Sequence, residues 1–398
     1  MTAAPLREAL AEVLPERPFR VEWWDGEVLP DTNGGGPTFR VRSPVALAHM
    51  LRAPGQLGLG RAYVAGALDV DDIDAALELL DGWKAPPLDA RAKARIAAAA
   101  VRGGALRRVP PVPDAELRPR GRRHSIARDR RAVRHHYDVS NDFFALILDE
   151  SMTYSCGVWS RGAQTLEQAQ ETKLELVCTK LGLRTGQRVL DVGCGWGSFA
   201  VHAATRHGVH VTGITLSEPQ AQEARRRAAE AGVAERVDIR IADYRELSGE
   251  RFDAIASIGM VEHVGNAMID AYAQRLHALL APGGRLLNHG IARLRHGDPE
   301  AGPFSERFVF PDAAPLHLSR IVGALEGAGF EPLHVEGFRL DYARTLREWT
   351  RRLEANAAEA ARLAGAERLR VWRVYLRAAR RGFETAFTSV FQVLATRA

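Results

Sequence analysis

The chain has 398 residues, 46% apolar and 26% charged, with 54 basic against 49 acidic side chains. That length exceeds one ordinary domain, and the balance excludes a disordered or fibrous chain. No run approaches the roughly 20 apolar residues of a membrane-spanning helix.

The opening stretch, MTAAPLREALAEVLPERPFR, carries acids and prolines where a signal peptide needs an apolar block, so a cytoplasmic protein is expected. Three cysteines (Cys156, Cys178 and Cys194) without CxxC spacing argue against a disulfide framework and against a zinc site, and no metal is expected. Residues 1–103 read as a smaller α+β domain, expected to associate with lipid or membrane. FRVEWWDGEV and PTFRVRS read as short strands, and PVALAHMLRA and DIDAALELLDGW as amphipathic helices. Trp23 and Trp24 read as packing.

Residues 104–134 read as a basic linker. Between Arg102 and Arg134 lie eleven arginines against Asp114, Glu116 and Asp129, around the proline-rich RVPPVPDAELRP. Such a segment is either a solvated linker or a polybasic patch for the phosphates of lipid or nucleic acid. The absence of interleaved aromatic residues weighs against nucleic acid.

From Arg188 strands and helices alternate. RVLDVG, HVTGITLS, VDIRIADY, FDAIASIGM and GRLLNHGIA read as strands. The helices between them are WGSFAVHAATRHG, EPQAQEARRRAAEAG and NAMIDAYAQRLHALLAPG. Short apolar runs joined by helices predict an α/β fold with a doubly wound, mostly parallel, Rossmann-like sheet, which binds ligands at strand carboxyl ends.

Polar residues collect at those ends. The first strand closes on Asp191 and the turn Gly193-Cys194-Gly195-Trp196-Gly197. The spacing is GxGxG, not the GxGxxG of dinucleotide enzymes. The second strand ends in Thr215-Leu216-Ser217, without the acid that holds the ribose of NAD. The third ends in Asp243-Tyr244, an acceptor beside a flat ring. An amine, a ribose and an adenine with no pyrophosphate point to S-adenosyl-L-methionine.

The stretches HYDVSNDFF, LDESMTYSC, VLDVGCGWGSFA, GITLSEPQ, GMVEHVG, DYARTLREW and FQVLATR together resemble the cyclopropane-fatty-acyl-phospholipid synthase family of class I methyltransferases. The resemblance covers nearly the whole chain and implies a catalytic domain over residues 135–398. It implies that the segment before the glycine turn lids the cofactor, with Tyr154 and Ser155 on its methionine part and Cys156 at the reaction centre. It also adds Gln220 to the cofactor residues. Without the motif, Cys156 reads as a small buried hydrophobe. Of His135 and His136, both readable as loop residues, the family motif retains the second.

The chemistry implied is methylene transfer to a cis double bond of a phospholipid acyl chain through a carbocation. Ring closure then needs a weak base in a dry site. The family's base is a bound bicarbonate. The resemblance assigns it to Glu262, His289, the backbone around Ile291, Tyr342 and Cys156. His263 reads as structural or solvent-facing. NHGI stands where the family commonly has His-Thr-Ile, and Ala379 where some members have cysteine. Alternatives are a fatty-acyl methyltransferase that leaves a methyl or methylene branch, and a methyltransferase of small molecules. The expected partners are a phospholipid membrane surface, met peripherally at the inner face, and unsaturated acyl chains. Nucleic acid is not expected, and a homodimer is left open.

Overall fold

The computed structural model describes residues 2–84, 86–105, 109–117, 121, 125, 128, 131, 140–295, 302–310 and 315–398. His135, His136, most of the arginine-rich segment and the start of HYDVSNDFF lie outside the described residues. Two compact units divide the chain differently from the expected segments. One holds residues 1–117, 302–309 and 365–378, and the other 118–301, 310–364 and 379–398.

The first unit runs α1 (Ala4–Val13), β1 (Arg20–Glu22), β2 (Val28–Leu29), β3 (Thr38–Val41), α2 (Val45–Arg52), α3 (Gln56–Val64), β4 (Leu68–Val70), α4 (Ile73–Gly82) and α5 (Ala90–Arg102). Its sheet has the order β2-β1-β3-β4. Leu6, Val21, Trp23, Leu29, Val41 and Leu68 pack its core. Trp23 meets Trp24 edge to face at 5.8 Å, the packing role expected.

The proline-rich stretch expected as linker belongs to this unit in its described part. The Glu116 side chain is buried and accepts from Arg61 through both oxygens, at 2.6 and 2.7 Å. Ala115 N donates to Glu367 at 3.0 Å, and Leu117 N to the carbonyl of Arg307 at 2.8 Å. Arg307 lies in a short helix (Pro303–Phe308) that belongs to this unit, far along the chain. Proline and charge mark a segment without regular structure. They do not say whether its charges find buried partners.

The second unit runs α6 (Asn141–Ala145), α7 (Leu166–Leu181), β5 (Arg188–Val192), α8 (Ser198–His207), β6 (His210–Thr215), α9 (Glu218–Glu230), β7 (Val237–Ile241), β8 (Phe252–Ile258), α10 (Ile269–Leu279) and β9 (Leu280–Arg293). With Pro303–Phe308 numbered α11, it continues α12 (Leu318–Gly327), β10 (Phe330–Gly337), α13 (Arg339–Ala355), α14 (Ala357–Ala364), α15 (Ala366–Glu384) and β11 (Thr388–Arg397). Helix α15 begins among the residues of the first unit and ends in the second.

The seven strands lie in the order β10-β11-β9-β8-β5-β6-β7. β5 to β9 are parallel, as the alternating pattern predicts. The antiparallel pair β10 and β11, which that pattern does not contain, extends the sheet beyond β9. Alternate β5 residues enter opposite cores: Leu190 and Val192 one, Val189 the other. The strand order reverses between β5 and β8, and a crevice opens there at the carboxyl ends. The helix expected to run into Pro-Gly-Gly stops at Leu279 instead, and Leu280 already pairs with Phe252. Pro282 cannot donate a helical hydrogen bond, so the chain enters the strand early.

Gly197 serves packing here. It precedes α8 with φ +81°, and a Cβ on it would stand 2.9 Å from Cβ of Ala224 in α9. Gly197→Ala is therefore expected to cost about 1–3 kcal/mol through clash and backbone strain together. Gly232→Ala shares the positive φ (+69°) but meets nothing within 4 Å, so it should cost less. Urea unfolding of both variants checks this. Equal losses would mean that helix approach plays no part.

Candidate active site

The carboxyl ends of β5 to β8 open into one cleft of about 1210 Å³, part of it open to solvent. Of the expected cofactor residues, Tyr154, Ser155, Asp191, Gly193, Gly195, Thr215, Gln220, Asp243 and Tyr244 line it. Gly197 and Ser217 do not. Ser217 is fully buried and caps α9, its Oγ accepting from Gln220 N at 3.4 Å. That cap fixes Gln220, whose Oε1 accepts from Thr215 Oγ1 at 2.8 Å.

The segment before β5 is tied down from several sides. Asp149 accepts from the backbone of Ser151 and Thr153 at 3.0 and 3.1 Å, which holds Met152 at φ +57° in the cleft wall. Such a conformation is strained for a side chain of this size. Further along, Asp341 Oδ1 takes the N–H groups of Trp159 and Ser160, and Thr345 Oγ1 those of Gly157 and the Trp159 indole. Tyr154 stacks on Trp349 at 5.1 Å. Trp196 of the glycine turn donates to Asn141 at 2.8 Å and packs against Phe144 at 4.8 Å.

Lys173 is a cleft residue that the sequence reading missed. It is 1% exposed, and its Nζ donates to Ser155 Oγ at 3.1 Å. Burial pushes its pKa down to about 8, against the pull of the carboxylates of Asp149 and Asp191. The available signal was its place on the apolar face of a helix, among Ala169, Gln170, Leu176 and Val177, all buried.

Asp191 is 2% exposed, and burial raises its pKa to about 7 although Lys173 draws it down. Its Oδ2 has no partner among the described residues. An ammonium group brought into the cleft would satisfy that oxygen, so the methionine end of S-adenosylmethionine fits here. Asp243 differs from the open acceptor expected. Arg245 engages both its oxygens, at 2.7 and 2.6 Å. Tyr244 packs edge to face on Tyr272 at 5.4 Å. His263 also lines the cleft, against Phe310, and its pKa is pushed down to about 4 by its surroundings.

The residues expected at the reaction centre are not in the cleft wall. Glu262 lies in the turn Val261–His263 against β9, His289 and Ile291 lie on β9, and Cys156 and Tyr342 lie around Phe338. Glu262 is buried, and its Oε1 accepts from Ile291 N at 2.8 Å. Its Oε2 has no partner among the described residues, and burial lifts its pKa to about 7. Gly290 makes this approach feasible, since a Cβ there would meet Val261 Cγ1 at 2.2 Å. The His289 ring stacks over Phe338 at 6.5 Å. The Phe338 carbonyl accepts from Tyr342 N at 3.0 Å and faces Cys156 Sγ at 3.8 Å. Tyr342 in turn packs on Trp349 and Phe383. Burial pushes the Cys156 thiol well up, so it stays protonated and is no nucleophile.

Lys180 sets the protonation of His289. As a pure donor it takes Gln392 Oε1 at 2.7 Å. The Gln392 NH2 then faces His289 Nδ1 at 3.2 Å and donates to it. Nδ1 is thus the acceptor, and Nε2 carries the proton. Burial and the charges of Lys173 and Lys180 hold the pKa down to about 3, so the ring is neutral. Its Nε2–H is buried with no partner among the described residues.

A mostly parallel sheet of this order, with a glycine turn after its central strand and a buried acid beside it, defines a class I S-adenosylmethionine-dependent methyltransferase. The family model described as mycolic acid cyclopropane synthetase matches residues 124–393, and the chain belongs to that family. It is 40% identical to a probable fatty acid methyltransferase of Mycobacterium tuberculosis, over 90% of this chain and 86% of that one. It is 32% identical to the cyclopropane-fatty-acyl-phospholipid synthase of Escherichia coli, over 92% and 89%. A mycolic acid cyclopropane synthase solved with SAH and CTAB is similar at TM-score 0.64 and 32% identity, covering 67% of this chain and 98% of that one. No helix among the described residues is long and apolar enough to cross a membrane.

Asp191 yields a pH prediction. Below about pH 7 its carboxyl holds a proton and offers no charge to an ammonium group. Affinity for S-adenosylhomocysteine should rise about tenfold per pH unit up to about 7 and then level off. Asp191→Asn should flatten that rise and weaken binding about tenfold or more at higher pH. Calorimetry across that range checks it. A flat wild-type profile would contradict the assignment.

Proposed function

We propose that this enzyme adds a methylene to the cis double bond of unsaturated phospholipid acyl chains and closes a cyclopropane ring, with bound bicarbonate as the base. The reading rests on two buried polar atoms with no partner among the described residues, Glu262 Oε2 and His289 Nε2, the second a fixed N–H donor. A small oxyanion that both donates and accepts suits such a pair. The relatives named as cyclopropane synthases support the product class.

Bound S-adenosylmethionine supplies an electrophilic methyl. Asp191, Ser155 and Gln220 would orient it. Glu262 would accept from the bicarbonate hydroxyl and His289 donate to an oxygen of the anion, so the base stays weak and fixed. Phe338, Trp349 and Tyr342 supply apolar walls that keep water from the cation left on the acyl chain. Cys156, with its proton retained, adds a neutral contact that does not trap the cation. A patch of arginines between Arg102 and Arg134 would draw the enzyme to anionic bilayers.

A second reading stops at a methyl or methylene branch, and the 40% relative named as a fatty acid methyltransferase favours it. The product formed on vesicles of cis-unsaturated phospholipid separates the two, high-field cyclopropane protons marking the ring and methyl or vinylidene signals the branch. In degassed buffer the rate should collapse and return with added bicarbonate, and it should fall with salt on anionic vesicles more than on neutral ones. Glu262→Gln should lower turnover at least about a hundredfold while S-adenosylhomocysteine binding survives. Indifference to bicarbonate, with the variant near wild type, would overturn the bicarbonate assignment for either product, since the branching reaction also has to give a proton to a base.

A further inference from the structure

Cys178 on α7 and His202 and His207 on α8 play no part in the chemistry above. Sγ of the cysteine and one nitrogen of each ring nevertheless lie within 4.8 Å of one another. We propose that these three side chains form a zinc site that braces α7 against α8. Spacing argued against zinc because the ligands come from two helices separated by a strand. No CxxC pair is needed when packing brings single ligands together.

The donor set fits the ion. A thiolate and two imidazoles suit a borderline-soft divalent cation with tetrahedral preference, and water would complete the fourth position. Cys178 is fully buried, and the two rings are 11% and 21% exposed, so an ion there would be largely shielded. Glu175 stands one turn before Cys178. Its Oε2 lies 3.1 Å from Nε2 of His202 and 3.2 Å from Nε2 of His207. With both Nε2 atoms engaged by Glu175, the metal would be bound through the Nδ1 atoms, and the carboxylate is then the outer partner that metal-bound histidines use for orientation. A thiol must give up its proton to become the thiolate that a metal takes. The ion therefore displaces one proton from Cys178 as the sulfur–metal bond forms.

The position gives the site a purpose. α7 carries Lys173, and α8 begins with Ser198 and Phe199, all in the cleft wall. A bridge between these helices would stiffen the cofactor cleft without touching substrate.

The test uses the full chain, purified without a metal-binding tag, stripped with chelator and titrated with Co2+. A single ion should bind per chain with a near-ultraviolet thiolate-to-cobalt charge-transfer band, and Zn2+ should displace it. Zinc should also raise the melting temperature of the stripped protein. Cys178→Ser should abolish the band. His207→Gln, a milder change near a helix end, should weaken binding at least about tenfold, the low end even for outer-shell losses. The proposal is overturned if wild type shows no band at saturating Co2+. It is overturned equally if both variants keep the wild-type band, which would put the metal on Cys156 or Cys194.

Discussion

A carboxylate buried without a matching charge is costly, and the catalytic unit is arranged around one. Asp191 ends the central strand, where the order of the sheet reverses, and is 2% exposed. Raising its pKa from 3.8 to about 7 corresponds to about 4 kcal/mol against its ionised form. Lys173 offsets part of that cost through the buried helix α7 and is itself brought to about 8. The cleft thus holds two ionisable groups poised near neutrality. A ligand that presents an ammonium to Asp191 completes what the protein leaves incomplete, which is how binding energy and specificity come from the same atoms.

The same economy governs the second group of buried polar atoms. Lys180 fixes the Gln392 amide, and that amide fixes the tautomer of His289. Glu262 spends one oxygen on Ile291 N and keeps the other. Phe338 is the common neighbour of His289, Cys156 and Tyr342, and Trp349 links Tyr342 to Tyr154 at the cleft. Packing of one aromatic run therefore couples the segment before β5, the cleft and β9. A substitution in that run would disturb several of them together.

The sheet was legible because its signals are local. Apolar runs, a glycine turn and acids at strand ends occupy adjacent positions, so β5 to β9 and the placing of Asp191, Thr215 and Asp243 could be read directly. The antiparallel strands β10 and β11 were not, since β11 comes from the far end of the chain, after three helices. Lys173 was hidden by its type: a lysine on an apolar stripe reads as an exposed exception until the helix is seen buried. Ser217 and Gly197 read as cofactor residues, and the structure shows a helix cap and a close helix approach at them, which demand the same residue types as a ligand. Glu116 read as linker because sequence carries no record of Arg61 reaching it. The Cys178, His202 and His207 cluster escaped for a related reason, being assembled by helix packing.

Ring closure on a phospholipid acyl chain is decided by its product. Lipids from cells expressing the protein would be compared with those from cells lacking it, first by mass spectrometry and then by proton NMR. Acyl chains should gain the mass of one CH2 and show the high-field signals of cyclopropane methylene protons. The same mass gain with methyl or vinylidene signals and no high-field protons would contradict ring closure.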